Sequence, residues 1–184
     1  MNPFFVFIIL VLVVFIALYN RLVKRKNDID NAFSSIDVML KKRFDLIPNL
    51  IALNKQIINH EKETIIEIEK LHKSIEENSS IDNKLELYDD METLSNQLII
   101  GLSQNTETKS NSNFILLNKI WNTTEDQISA ARRYYNNAVT QYNNAIKYFP
   151  SSIIANIFGF KEAKVFKKSK FERKNINAND VFTR

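Results

Sequence analysis

The sequence of 184 residues has no cysteine, and glycine and histidine occur only twice each. The absence of cysteine excludes disulfide bonds, thiol nucleophiles and thiolate metal sites. With two glycines and three prolines, the chain lacks the turn residues that an all-β sandwich or barrel needs. It also lacks the Gly-rich loops that bind phosphate, neither GxGxxG nor GxxxxGK[ST] being present. These absences indicate a protein of long helices, and we expect no cofactor.

An apolar N-terminal segment is the first feature that is present. Phe4–Tyr19 is an unbroken apolar run, and residues 22–23 extend it to about 20 residues, enough for a helix to cross a bilayer. No basic residue precedes the run and no small-x-small site follows it, which favours an uncleaved anchor over a signal peptide. Positive residues that flank a span remain in the cytoplasm, and here they are Arg21, Lys24, Arg25 and Lys26. The prediction is a single-pass protein with its N-terminus outside.

Three later stretches carry apolar residues at helical spacing: residues 22 to about 78, 81 to about 104, and 114–149. Pro48 interrupts the first stretch, because proline lacks a backbone donor and disfavours helix at the preceding residue. No glycine or polar cluster is near, so a kink is favoured over a reversal. A kinked first helix leaves the chain after Pro150 far from the membrane. The polar run 103–113 predicts a loop or linker.

The predicted fold is all-α: a transmembrane helix followed by a long antiparallel bundle. The bundle has three long helices if Pro48 kinks the first one, or four if the helix breaks there. The predicted segments are residues 1–3 outside, 4–23 in the membrane, 24–150 as a cytoplasmic bundle, 151–174 as a basic aromatic tail and 175–184 as a disordered end.

The third stretch has the most regular pattern, a seam that steps three and four residues over five heptads. We expect it to pack inside the bundle, because the preceding helices present matching apolar faces; self-association is the alternative. Its residues are Phe114, Leu117, Trp121, Thr124, Ile128, Ala131, Tyr135, Ala138, Tyr142, Ala145 and Phe149.

Two groups of residues are candidates for binding chemistry. His60 and His72 each have a glutamate three residues away, but both lie on one predicted helix, and helix-bundle metal sites need such pairs from two helices. No metal site is therefore predicted. The segment 161–174 holds seven Lys or Arg residues and two acids, with Phe166 and Phe171 among them. It carries no nucleic-acid motif, so we expect no nucleic-acid partner; contact with anionic lipid and a solvated tail remain as alternatives.

Several blocks together resemble the LemA family of bacterial membrane proteins. The most specific block is LKKRFDLIPNL at Leu40–Leu50, preceded by Ile36–Val38. The others follow in the family's order, and the resemblance runs from about residue 5 to residue 171: Tyr19-Asn20, His60-Glu61, Tyr135-Asn136, Tyr142-Asn143, Phe149-Pro150 and Phe158–Phe160.

The resemblance implies an N-terminal anchor in the bacterial inner membrane, a cytoplasmic helical bundle and no enzymatic activity to carry over. The expected function is that of a scaffold or adaptor. Its expected partners are the bilayer, through the N-terminal helix, and another membrane or cytoplasmic protein or a second copy. The positions that mark the resemblance are candidate interaction or structural residues: Arg43, Asp45, Pro48, Asn49, Tyr135, Asn136, Tyr142 and Asn143.

The block around Pro48 allows a structural and a binding interpretation. In the first, its apolar residues are core, and Arg43 and Asp45 face solvent or form salt bridges. A sharper form of it places Arg43 on the buried stripe, paired with a carboxylate there, with Asn49 and Asn54 available to satisfy backbone groups freed at the kink. In the second, Arg43, Asp45 and Asn49 converge in a pocket, and the bundle is an enzyme or a ligand sensor. We favour the structural interpretation, because each residue of the block has a use in packing or capping.

Overall fold

The structure is a computed structural model that describes residues 2–52, 62–78, 80–104 and 106–166, without the side chains of residues 106 and 107. Every regular element in these residues is a helix, which confirms the all-α prediction. The predicted disordered end, Asn54, His60 and the tail beyond residue 166 lie outside the described residues. The helices are α1 Pro3–Phe44, α2 Ile47–Ala52, α3 Lys62–Glu77, α4 Ile81–Gln104, α5 Thr106–Ser110, α6 Ser112–Lys147 and α7 Ser151–Ile157.

The chain forms two compact units, and α1 and α6 contribute to both. The first unit comprises Met1–Ile36 and Ala130–Val165. The second unit comprises Asp37–Ser129 and Phe166–Arg184.

The interruption between α1 and α2 follows from Pro48. Proline has no N–H to donate to the carbonyl four residues earlier, that of Phe44, and its ring clashes with that carbonyl. The helix accordingly ends at Phe44, where the Leu46 N–H donates to the Arg43 carbonyl at 3.2 Å in a tighter turn. Helical bonding resumes when the Leu50 N–H donates to the Leu46 carbonyl at 3.0 Å.

In the second unit α4 runs in the same direction as the end of α1. Asp37 accepts a hydrogen bond from Tyr88, whereas Arg43, almost two turns later, bonds to Asn96, two turns beyond Tyr88. The two helices therefore advance together along the unit.

The helix α3 packs on α4 and is joined to it by the short connection 78–80, so the two form an antiparallel hairpin. It follows that α3 runs opposite to the end of α1. The first predicted stretch is thus not one kinked helix, because α1 and α3 within it run in opposite directions.

In the first unit α6 runs antiparallel to α1. The rings of Phe33 and Tyr135 lie 6.1 Å apart between centroids, and the Arg25 guanidinium donates to the side chain of Gln141. As the residue number rises along α6, the residue that it faces on α1 has a lower number. The end of α6 at Lys147 consequently lies toward the N-terminal part of α1.

The chain after Pro150 returns to the apolar segment of α1. The ring centroid of Phe158 lies 4.7 Å from that of Tyr19 and 6.0 Å from that of Phe15. These contacts contradict the kinked three-helix arrangement, which places this part of the chain far from the apolar segment. The three-helix topology was wrong, although the chain does continue as helix past Pro48 to Ala52; an apolar period does not record the direction in which a helix runs.

The seam of α6 is buried along most of its length, in agreement with internal packing. Its buried members are Phe114, Trp121 and Ile128 in the second unit and Tyr135, Ala138 and Tyr142 in the first. The seam stops earlier than predicted, because α6 ends at Lys147 and Phe149 is 81% exposed.

The polar run 103–113 contains the short helix α5, so it is more helical than the predicted loop. In α4 the predicted apolar positions Leu85, Tyr88, Met91, Leu98 and Leu102 are buried, but so are Glu92 and Ser95, which the periodicity did not single out.

The N-terminal half of α1 is an uncovered apolar surface within its unit. All large apolar side chains from Phe4 to Ile16 are between 38% and 64% exposed. In the described residues, one helix is long and apolar enough to cross a membrane, and this run lies in it.

Candidate functional site

Arg43 is the centre of a buried polar network in the second unit. Its side chain is 1% exposed, and its guanidinium lies 4.0 Å above the ring of Trp121. Nη2 donates to Oδ1 of Asn96 at 3.3 Å, and Nη1 lies 3.8 Å from Oε1 of Glu92 and pairs closely with Glu125. One residue of α1 is thereby bound to two helices, α4 and α6.

The network has the composition that a buried guanidinium requires. An uncompensated charge in a protein interior is costly, and here two carboxylates, an amide oxygen and the face of an aromatic ring surround a single cation. The Glu92 side chain is 2% exposed and that of Glu125 is 30% exposed. The Glu92 carboxylate is therefore shielded from water, whereas the Glu125 carboxylate also reaches solvent. Arg43 thus lies on the buried stripe of α1, as in the interpretation that pairs it with a carboxylate there.

The other candidates in this block lie elsewhere. Asp45, Pro48 and Asn49 are exposed, whereas Arg43 is buried. The three residues therefore do not share a pocket with Arg43, and the geometry favours a structural use of the block.

A second polar cluster surrounds Asp37, one turn and a half before Arg43. The Tyr88 hydroxyl donates to Oδ1 of Asp37 at 2.5 Å, and the Nζ atoms of Lys84 and Lys41 lie 3.5 and 3.7 Å from the carboxylate. Burial, followed by the hydrogen bond and the charge of Asp37, raises the pKa of Tyr88 far above its ordinary value. Sequence reasoning missed this cluster, because the pairing depends on the register between α1 and α4.

In the first unit, three side chains of α6 hold the chain after α7. The Tyr135 hydroxyl donates to the Lys164 carbonyl at 3.0 Å, and the Tyr142 hydroxyl donates to the Lys161 carbonyl at 2.9 Å. The Asn143 amide donates to the Ala163 carbonyl at 2.9 Å and accepts from the Ala163 N–H at 3.0 Å. We call Tyr135, Tyr142 and Asn143 the tail clamp.

The spacing of the tail clamp matches the spacing of the backbone that it holds. Tyr135 and Tyr142 are separated by seven residues, or about 10.5 Å along a helix. Lys161 and Lys164 are separated by three residues, or about 10 Å in an extended chain. The order is antiparallel, so two hydroxyls two helical turns apart meet two carbonyls of one extended segment.

Gly159 makes the turn that brings this segment onto α6. Its φ of 68° lies in the left-handed region, which glycine adopts without steric cost. The Phe160 N–H donates to the Ala155 carbonyl at 2.9 Å, closing the end of α7 in the manner of a glycine-terminated helix. The chain then leaves α7 toward the tail clamp.

The tail clamp is shielded from water in part. Tyr135 and Tyr142 are 1% and 3% exposed, and Asn143 is half-buried. Burial, followed by the charge of Asp30, raises the pKa of Tyr142, which keeps its hydroxyl protonated as a donor. Asn136, the remaining candidate on α6, is half-buried beside Tyr135 in sequence.

In the part of the chain that the structure describes, no group of three or more His, Cys, Asp or Glu side chains could hold a metal ion. His72 lies half-buried on α3.

Comparison with known proteins assigns the chain to a family. The family model described as LemA family matches residues 32–179. The chain belongs to the LemA family. Among curated proteins, it is similar to Protein LemA of Metamycoplasma hominis, with 24% identity over 184 residues that cover 97% of this chain and 84% of that protein.

The LemA match includes both polar networks and the tail clamp, and it begins after the apolar run of α1. The family predicted from the sequence blocks is thus confirmed. The resemblance marked Tyr135, Tyr142 and Asn143 as positions, but not what they bind. The signal available in the sequence was their spacing along α6, together with a segment after Pro150 that has no helical period.

Proposed function

We propose that this LemA protein is a membrane-anchored scaffold or adaptor without catalytic activity, whose helical bundle projects into the cytoplasm. The observation that carries the proposal is the uncovered apolar surface of α1 from Phe4 to Ile16. The same helix continues without interruption to Phe44, where its side chains are packed against other helices. An apolar surface of this length is unfavourable in water and suits the hydrocarbon core of a bilayer.

The charges after the run support the proposed orientation. Arg21, Lys24 and Lys26 are exposed on α1 directly after the apolar segment. Basic residues at this place favour the cytoplasmic side of a bacterial inner membrane, with the N-terminus outside. A reporter enzyme active only outside the cytoplasm, fused after Arg184, is expected to be inactive, and the same reporter fused before Phe4 to be active. The opposite pattern would reverse the orientation.

The buried polar groups support an interaction role over a ligand site. The Arg43 guanidinium faces side chains of α4 and α6, and Asp45 and Asn49 lie on the surface. A ligand pocket needs polar groups that converge on an open cavity. The arrangement around Arg43 instead stabilises the contact between helices.

Cross-linking in the native membrane, followed by mass spectrometry, tests the adaptor role. A reproducible cross-link from the bundle to one partner protein is expected, where a second copy of this chain also counts as a partner. A bundle that cross-links to nothing in the membrane, while the chain still fractionates with it, would contradict this role and leave the anchor intact.

A further inference from the structure

The helix α7 has an outward face that the described residues leave uncovered. Ile153 and Ile157 are 52% and 64% exposed. A step of four residues places these two side chains on one side of the helix. The opposite side is firmly packed, since Ile154 and Ala155 are 3% and 2% exposed. The segment is therefore apolar on both sides, and its outward side has no partner within this unit.

The position of α7 along α1 is fixed by aromatic contacts. Phe158, the residue after α7, lies against Phe15 and Tyr19, and the Phe160 ring lies 6.1 Å from Tyr19. Phe15 belongs to the uncovered apolar run, and Tyr19 lies four residues, or about 6 Å, farther along the helix. The C-terminal end of α7, next to Ile157, thus lies level with the end of that run.

The surroundings have the composition of a membrane interface. Aromatic side chains collect at the end of the apolar run, and Arg21, Lys24 and Lys26 are exposed within the next two turns of α1. Tyrosine rings and cations are enriched at the level of lipid headgroups, where cations also meet anionic phosphates. Asn156, the exposed polar residue of α7, suits this polar boundary as well.

We infer that α7 is a second membrane contact, lying along a phospholipid surface that contains anionic lipid, with Ile153 and Ile157 in the headgroup and upper acyl region. The inference rests on the proposed anchoring of α1. A bilayer is favoured as the occupant of this face because α7 ends beside the end of the run that the bilayer would surround, and because exposed cations follow that run on α1. Short apolar segments held in this way lie in the plane of the interface.

Site-specific labelling of the full-length chain tests the inference. Since the sequence has no cysteine, a single introduced cysteine carries the only label. An environment-sensitive fluorophore is attached in the variants Ile153→Cys and Ile157→Cys, with Val11→Cys as the control for the span and Ser34→Cys as the control for an exposed site of α1 above it. The chain is reconstituted in vesicles of phosphatidylcholine and phosphatidylglycerol that contain nitroxide-labelled lipids.

Labels at positions 153 and 157 are expected to be quenched by nitroxides near the headgroups, the label at position 11 by nitroxides deep in the acyl chains, and the label at position 34 by neither. Quenching at position 11 without quenching at positions 153 and 157 would overturn the inference and leave the anchor in place. Absence of quenching at all four positions would overturn the anchor itself. Shielding of positions 153 and 157 from a water-soluble quencher, without quenching by lipid nitroxides, would also overturn the inference, because a protein such as a second copy would then cover the face.

Discussion

Replacing Arg43 by leucine tests whether the buried network stabilises the fold. The change leaves the Glu92 carboxylate, 2% exposed, without its guanidinium. Removing one partner of a buried ion pair costs about 3–5 kcal/mol. Little is added for Glu125, because its side chain is 30% exposed and water can replace the lost contact. In a protein of this size each kcal/mol lowers the Tm by about 2–4 °C, so the expected loss is about 6–20 °C.

Thermal unfolding of the full chain in lipid nanodiscs provides the measurement. Far-UV circular dichroism follows all helices, and the fluorescence of Trp121 follows the network itself, since it is the single tryptophan and lies under the Arg43 guanidinium. Lys42→Leu is the matched control: the neighbouring cation is exposed, so its loss should change the Tm little.

An unchanged Tm in Arg43→Leu would refute the reasoning, because the charge would then contribute nothing to the packed state. The double variant Arg43→Leu/Glu92→Leu adds a second check. Replacing a complete buried pair by apolar side chains is often close to neutral, so most of the lost stability should return. Losses that simply add would show that the two residues are not coupled.

Three further predictions concern other contacts. Because the pKa of Tyr88 is raised by burial and then by Asp37, the folded state keeps its proton while the unfolded state releases it above about pH 10; the urea midpoint should therefore fall as the pH rises through this range, and less so in Tyr88→Phe. Asn143→Leu removes both hydrogen bonds to Ala163, so trypsin should cleave after Lys161 and Lys164 faster while the Tm of the helices changes little; equal cleavage rates would contradict the tail clamp. Trp121→Ala should lower the free energy of unfolding by about 3–5 kcal/mol in urea titrations, and a neutral effect would mean that its buried position is not a packed one.

The sequence predicted what depends on local periodicity. The seam of α6 is buried at Trp121, Ile128 and Tyr135 because residues three and four apart share one face of a helix. The apolar run and the family could also be read directly. Arg43 was placed on the buried stripe in one of two interpretations, and the structure has it there.

What the sequence could not predict depends on register and direction. Glu92 and Glu125 become partners of Arg43 only when α4 and α6 are aligned with α1, and no local pattern sets that alignment. A period of 3.6 residues is the same for a continuing helix and for one that has turned back, so the opposite directions of α1 and α3 left no mark on it. The tail clamp binds an extended segment, and one short extended segment has no period to detect.

The tail clamp consists of hydrogen bonds to the main chain alone: the carbonyls of Lys161, Ala163 and Lys164 and the N–H of Ala163. Every amino acid supplies the same carbonyl, and every one except proline supplies the same N–H. These contacts therefore place no demand on which side chains the held segment carries, beyond excluding proline at position 163. Over evolution this segment can change its charge and character freely as far as the tail clamp is concerned, while Tyr135, Tyr142 and Asn143 must stay. We therefore expect selection to act on the side chains of the tail clamp but not, through these bonds, on the side chains of residues 161–164.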